Sequence, residues 1–269
     1  MKLRKIAMAV ILGASLMLTG CGSSEGDSVS TNSSAKSAVD KIKDAGVLKV
    51  GVKVDVPKFG YKNTETNEVE GFEVDLAKAI SKEILGEEKI ETTGVNAKTR
   101  GPLLDNGEVD IDICTFTITE ERKKSYLFSD SYYTDAVGLL VKKDSGIKSL
   151  KDLDGKTVGV AQSSTTKDAI TAEADKLGIT VNFSEFGSYP EIKAALDSGR
   201  VDCFSVDGAI LNGYVDDTTE ILDDKFNPQE YGVCIKMGND DLLEVVNEVI
   251  NDMKDSGELD ELIDKWGIK

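Results

Sequence analysis

Apolar and polar positions along the chain follow two alternating periods. Leu48, Val50 and Val52 take every second place, which predicts a strand over 48–52. Val74, Ala77, Ile80, Ile84 and Leu85 recur three and four residues apart, which predicts an amphipathic helix over 74–85, just after Gly71 and Phe72. A short helix is expected over 100–106, with Pro102 in its first turn and Gly107 just past its end. Strands follow over 109–114 and, after Tyr132 and Tyr133, over 136–142; the second is long enough to bridge two bodies. The pattern then restarts. Strands are expected over 157–161, 180–186 and 201–206, and helices over 166–177, 190–196 and 209–215. A second bridging strand over 231–235 leads to amphipathic helices over 240–253 and 257–266.

Strand–helix alternation implies mostly parallel sheets covered by helices, an α/β class. Two stretches repeat one sub-pattern of short helix, glycine turn and Val-Asp strand: LLDNGEVDIDIC at 103–114 and ALDSGRVDCFSV at 195–206. They suggest two lobes of similar build, in which Asp110 and Asp202 fix loops to the sheet. The ligand of an open α/β sheet sits beyond the carboxyl ends of its strands. Two such lobes face to face make a cleft that closes on a small molecule.

The first residues carry Lys2, Arg4 and Lys5, then an apolar run over 6–18, then Leu18-Thr19-Gly20-Cys21. This is the layout of a secretory signal, too short to span a bilayer. The ending resembles the lipobox of bacterial lipoproteins, which implies cleavage before Cys21 and acylation of Cys21. Residues 21–39 are Ser-rich and have little to bury, as in a flexible tether. Loss of residues 1–20 leaves 29 basic against 49 acidic side chains, a net charge of −20. Such acidity argues against nucleic acid and against electrostatic membrane binding. The chain has no histidine, which excludes histidine-based triads, histidine metal ligation and histidine proton shuttles. Cys114, Cys203 and Cys234 form no metal-ligand spacing, so no metal site is expected. Buried apolar roles suit them better than a Cys203–Cys234 bridge.

Charged residues stand where strands and helices end. Lys53 follows the first strand, Arg100 opens a helix, Arg122 lies beyond the strand ending at Cys114, and Asp207 ends the strand over 201–206. Three cations and one anion at corresponding ends are conspicuous in so acidic a chain. Phe59, Phe116 and Tyr132 are expected in the core.

Many segments, in order, resemble the polar-amino-acid solute-binding proteins of ABC importers. They include GVKVDVPKFGY, VEGFEVDLAKAI, the Thr115–Arg122 run TFTITEER, LFSDSYYTDAVGLLVKK, LKDLDGKTVGVAQSSTT and YGVCIKMGNDDLLEVVN. Within that family the chain is most similar to aspartate/glutamate-binding members, through 52–57, NAKTRGPLL at 96–104 and FGSYP at 186–190. The resemblance implies a type II periplasmic-binding-protein fold, two lobes joined by two hinge strands, with no cofactor. It implies that Arg122 forks onto the ligand α-carboxylate, a match for its planar donors. Thr117 and the loop Ser164, Thr165 and Thr166, whose N–H groups open a helix, would complete that shell. Asp207 would accept from the α-ammonium. Arg100, Lys53, Thr115 and Tyr189 resemble the group that holds a second carboxylate. Charge counting points the same way: Arg122 and Asp207 satisfy a zwitterion, and Arg100 and Lys53 are left over. If either of those two is paired within the protein, the inference narrows to a polar amino acid. Val56 departs from relatives that carry a stacking aromatic there, which disfavours histidine or arginine as ligand.

The expected organisation is a signal peptide over 1–20, a tether over 21–39, lobe one over 40–137 plus 235–269, and lobe two over 138–234. The expected protein is a monomeric extracytoplasmic lipoprotein anchored to the cell membrane. It would bind glutamate or aspartate, with glutamine the further candidate, deliver it to an ABC permease, and catalyse nothing. Alternatives are an adhesin, a sensor subunit, or an extracytoplasmic dehydratase on the same fold.

Overall fold

The computed structural model describes residues 36–268, so the expected signal segment and the lipidated Cys21 lie outside the described residues. The described residues include the end of the expected tether. Helix Ala38–Ala45 starts at Ser37, whose hydroxyl accepts from the Asp40 N–H, and stops at Gly46 in the left-handed region.

Two main sheets follow the two halves of the pattern. In the first, strand Leu48–Val52 lies between Ile90–Gly94 and Ile111–Ile113, parallel to both. Cys234–Lys236 and Tyr126–Phe128 extend it antiparallel. In the second, Thr157–Ala161 lies between Asn182–Phe186 and Cys203–Asp207, again parallel to both. The ten-residue strand Tyr133–Lys142 pairs antiparallel with Cys203–Asp207, Thr219–Ile221 and Phe226–Tyr231. The chain changes sheet twice, once between Phe128 and Tyr133 and once between Tyr231 and Cys234. The second expected bridging strand is therefore two strands in different sheets, broken at Gly232 and Val233. A Cβ at Gly232 would stand 2.8 Å from Ile118, so a side chain there has no room.

The repeated sub-pattern is a repeated structure. Asp110 accepts from Lys49 N–H at 2.9 Å and its own N–H donates to Lys49 O. Asp202 does the same with Thr157, at 2.8 Å. Gly107 and Gly199 make the preceding turns at φ +73° and +72°, where a side chain would be strained. Each clamp ties the start of a central strand to its neighbour and thereby sets the height at which that strand ends.

Helix Phe72–Leu85 runs from the first sheet and buries Phe72, Val74, Leu76, Ala77, Ile80 and Ile84. Helices Asp240–Ser256 and Glu258–Trp266 pack beside it. Helices Thr166–Leu177 and Tyr189–Asp197 cover the second sheet. The three cysteines are buried and free, and Cys203 and Cys234 belong to different sheets. Among the described residues, no helix is long and apolar enough to cross a membrane.

The two sheets face each other across a closed cleft. Tyr214 O–H donates to Asp55 O from the opposite side. Gly213 meets Pro57 so closely that a Cβ there would stand 2.8 Å from the proline ring.

Candidate functional site

The strand ends converge on a small cavity between the sheets. Arg100, Thr115, Thr117 and Arg122 line it from the first sheet, and Ser164, Thr165, Thr166, Tyr189 and Asp207 from the second. Nine of the ten residues singled out from the sequence thus share one cavity, with Ala97 and Val206 between them. Lys53, the tenth, sits just behind: its Nζ lies 4.5 Å from the centre of the Tyr189 ring.

Each side chain is placed by local structure. Thr115 follows the strand Ile111–Ile113 at φ +50°, a left-handed conformation that costs a β-branched residue of the order of 1–3 kcal/mol. Its N–H donates to Glu73 Oε1 at 2.5 Å, which holds it there. The turn aims Thr115 O, with Cys114 O, at Arg100: Nη1 donates to them at 3.3 and 3.2 Å. The Arg100 guanidinium stacks on Phe116 with its carbon 3.5 Å from the ring centre, and Arg122 shares the same ring at 4.8 Å. Arg122 Nη1 donates to Thr117 O at 2.6 Å, and Nη2 reaches Ser163 O of the second lobe at 3.3 Å. Thr165 donates its hydroxyl to the buried Gln229 at 2.7 Å and stands at the start of helix Thr166–Leu177. Tyr189 is the first residue of its helix, whose capping box pairs Ser188 with Glu191.

The electrostatics are those of a site built for charge. Burial, with the nearby positive charge of Arg100 second, brings the Arg122 guanidinium down to about 9. Burial pushes the Asp207 carboxyl up to about 7, against the downward pull of its bond from Tyr231 and of both arginines. Arg100 is 4 % exposed, its Nε has no hydrogen-bond partner, and among the described residues no carboxylate lies within 4 Å of it. Lys53 differs. It pairs with Asp55 at 3.3 Å, so it is not a surplus cation, and the charge count made from the sequence loses one of its two terms.

Sequence reasoning missed Asp55, Glu73, Asp112 and Gln229. Asp55 lies two residues from Lys53, across the bend at Val54, and that proximity was a usable signal. Glu73 was visible as an acid on the apolar side of its helix. Phe116 was expected in the core and is buried, but it is also the ring on which both arginines rest. Phe59 and Tyr132 are core residues as expected.

This arrangement can grip a small molecule by a carboxylate and an ammonium together. Known proteins similar to this chain do related work. It is 38% identical over 261 residues to the ABC transporter glutamine-binding protein GlnH of Bacillus subtilis (strain 168), covering 96% of this chain and 94% of that one. It is 45% identical over 241 residues to the glutamine-binding protein of Geobacillus stearothermophilus, covering 85% and 90%. Among solved structures, an ancestral arginine-binding protein bound to glutamine superposes with a TM-score of 0.75 at 37% identity, over 83% of this chain and 99% of that one. The architecture is the mixed α/β type II periplasmic-binding-protein fold. These relatives are transport solute-binding proteins and not enzymes. Residues 48–269 match the family throughout, and the chain belongs to the bacterial extracellular solute-binding proteins, family 3.

Proposed function

We propose that this protein is the substrate-binding lipoprotein of an ABC amino-acid importer, that its cleft takes glutamate or aspartate, and that Cys21 carries its membrane anchor. Arg122 holds the α-carboxylate with Thr117 and the N–H groups at Ser164, Thr165 and Thr166. Asp207 holds the α-ammonium. Arg100, Thr115 and Tyr189 meet the side-chain end, with Lys53 behind them. Lobes of 40–137 plus 235–269 and 138–234 move together on binding, and the closed form docks on the permease.

The observation that carries the ligand class is Arg100. It is buried, lines the cavity, has a free Nε and has no carboxylate partner among the described residues. A buried charge with no carboxylate in direct contact is costly, and a side-chain carboxylate in contact offsets that cost. Lys53 no longer contributes to this case, because Asp55 answers it. That pair favours a second reading, glutamine, whose carbonyl also accepts from Arg100 and whose binding gives two of the similar proteins their names. A guanidinium or ammonium side chain would face Arg100 with like charge.

Titration calorimetry on the mature chain, with glutamate, aspartate, glutamine and arginine in parallel, tests the order. Micromolar or tighter binding of the two acids, ahead of glutamine, is expected. Clear binding of glutamine with no heat from either acid reverses the order, and silence with all four removes the proposal. Loss of fatty-acid labelling in a Cys21→Ser variant tests the anchor.

A further inference from the structure

Two buried carboxyl groups behind Arg100 have no part in gripping the ligand. Glu73 uses Oε1 to accept from Thr115 N–H and Tyr132 O–H, both at 2.5 Å, and its Oε2 is buried with no partner. Asp112 sits in the central strand Ile111–Ile113, and neither of its buried oxygens has a partner. Room for it comes from Gly51 on the adjoining strand, where a Cβ would stand 1.9 Å from Oδ1. Among the described residues, neither acid lies within 4 Å of a basic nitrogen. Acids in such places tend to keep their protons. Burial pushes Glu73 up to about 7 and Asp112 up to about 8, so both exchange protons near neutral pH.

The groups facing them are few. Lys53, Arg100, Tyr132 and Cys114 face Glu73. Arg100 and Asp105 face Asp112 from helix Arg100–Asp105, with Tyr126 on the edge strand, Cys114 beyond its own strand and Cys234 on the next. Burial pushes both thiols and Tyr132 far up, which leaves them neutral. Among the described residues, Arg100 is the positive charge that acts on both acids.

We propose that Glu73 and Asp112 form a proton-exchanging counter-charge for Arg100, so that a carboxylate-ended side chain is bound together with a proton that an amide-ended one does not require. This rests on Arg100 as the side-chain anchor. When a side-chain carboxylate reaches Arg100, the acids behind it face a new negative charge and take up protons. When an amide arrives, no charge is added there, and the acids stay partly ionised and serve Arg100 themselves. The same cleft then stays near neutral with either ligand.

The test is calorimetry on the mature chain at pH 7.5, in buffers of different ionisation enthalpy, with glutamate and glutamine. Glutamate is expected to take up about one proton more than glutamine, and its affinity relative to glutamine to fall at least tenfold from about pH 6.5 to 8.5. Proton release from Asp207 is common to both ligands and cancels in the difference. In a Glu73→Gln, Asp112→Asn variant both the proton difference and the pH slope vanish. The amide of Gln still accepts from Thr115 and Tyr132, and Glu73→Gln alone removes most of the difference at pH 7.5 if the double variant does not fold. A purely structural role would change thermal stability and both affinities together but leave the proton difference in place. Equal proton counts and a flat ratio in the unmodified protein overturn the proposal. Absence of heat with either ligand overturns instead the reading of the cleft on which it stands.

Discussion

Arg100→Met separates the charge of Arg100 from its packing. Methionine keeps an apolar stem against Phe116, where the guanidinium carbon sits at 3.5 Å. It removes the donors to Cys114 O and Thr115 O, which lowers folding stability by about 1–3 kcal/mol whatever ligand is present. It also removes the proposed contact to the ligand side chain. For a carboxylate that contact is charge-assisted on both sides and contributes about 1.5–3 kcal/mol, or roughly 10- to 150-fold in affinity. For an amide carbonyl it is weaker, about 0.5–1.5 kcal/mol, or roughly 2- to 10-fold. Any distortion of the Thr115 turn affects both ligands equally, so the informative quantity is the ratio of the two dissociation constants. Glutamate should lose about 5- to 15-fold more than glutamine. Calorimetry or competition binding near pH 6.5 is the suitable assay, because Glu73 and Asp112 then hold most of their protons and blur the comparison least. Equal losses for both ligands, within about threefold, would refute the assignment of Arg100 to the side-chain end.

Asp207 predicts a second pH dependence of opposite sign. Its carboxyl is pushed up to about 7 in the protein alone, while the proposed contact with the ligand ammonium would require it ionised. Glutamine affinity should therefore be full above pH 7 and fall about tenfold per unit below it, and Asp207→Asn should be weak and flat in the same titration. Gly213→Ala places a Cβ 2.8 Å from Pro57, so it should hold the cleft ajar, weaken binding about tenfold and leave the melting temperature unchanged. Small-angle scattering with and without ligand reads the failure to close. Asp110→Ala and Asp202→Ala remove equivalent clamps, and each should lower the unfolding free energy by about 1–3 kcal/mol in urea titrations.

The elements with strong periodicity were legible. Helix Thr166–Leu177 begins and ends at the predicted residues, because an apolar stripe runs up to the left-handed Gly178. Strand Thr157–Ala161 was equally plain. Helix Ala38–Ala45 was hidden because a Ser-rich stretch runs straight into its cap. Strand Phe226–Tyr231 was hidden by Asn227 and Pro228, which sit at an irregularity in its pairing with Tyr133–Lys142. The small sheet of Asp55–Val56, Gly60–Lys62 and Val69–Glu70 has strands too short to show a period.

In the site, the polar residues at strand ends were legible because parallel strands deliver them to one edge. Their partners were not. Asp112 alternates with Ile111 and Ile113 as if it faced water, yet a central parallel strand is covered on both faces. Glu73 and Asp55 acquire meaning only when the turn at Thr115 and the end of the first strand come together in space.

On the proposed closure, the contact of Gly213 with Pro57 would act as a mechanical stop. The two lobes meet backbone to ring, so the cleft has a minimum gap that no side chain can adjust. Ligand length would then be judged by whether that stop is reached and not by whether the first lobe will hold the molecule. An amino acid too long for the cavity would still be gripped by its α-carboxylate, but the jaws would halt short of contact. Such a compound would occupy the binding protein without being handed on, and longer homologues of the true ligand should act as blockers of uptake in proportion to their affinity for the open jaw.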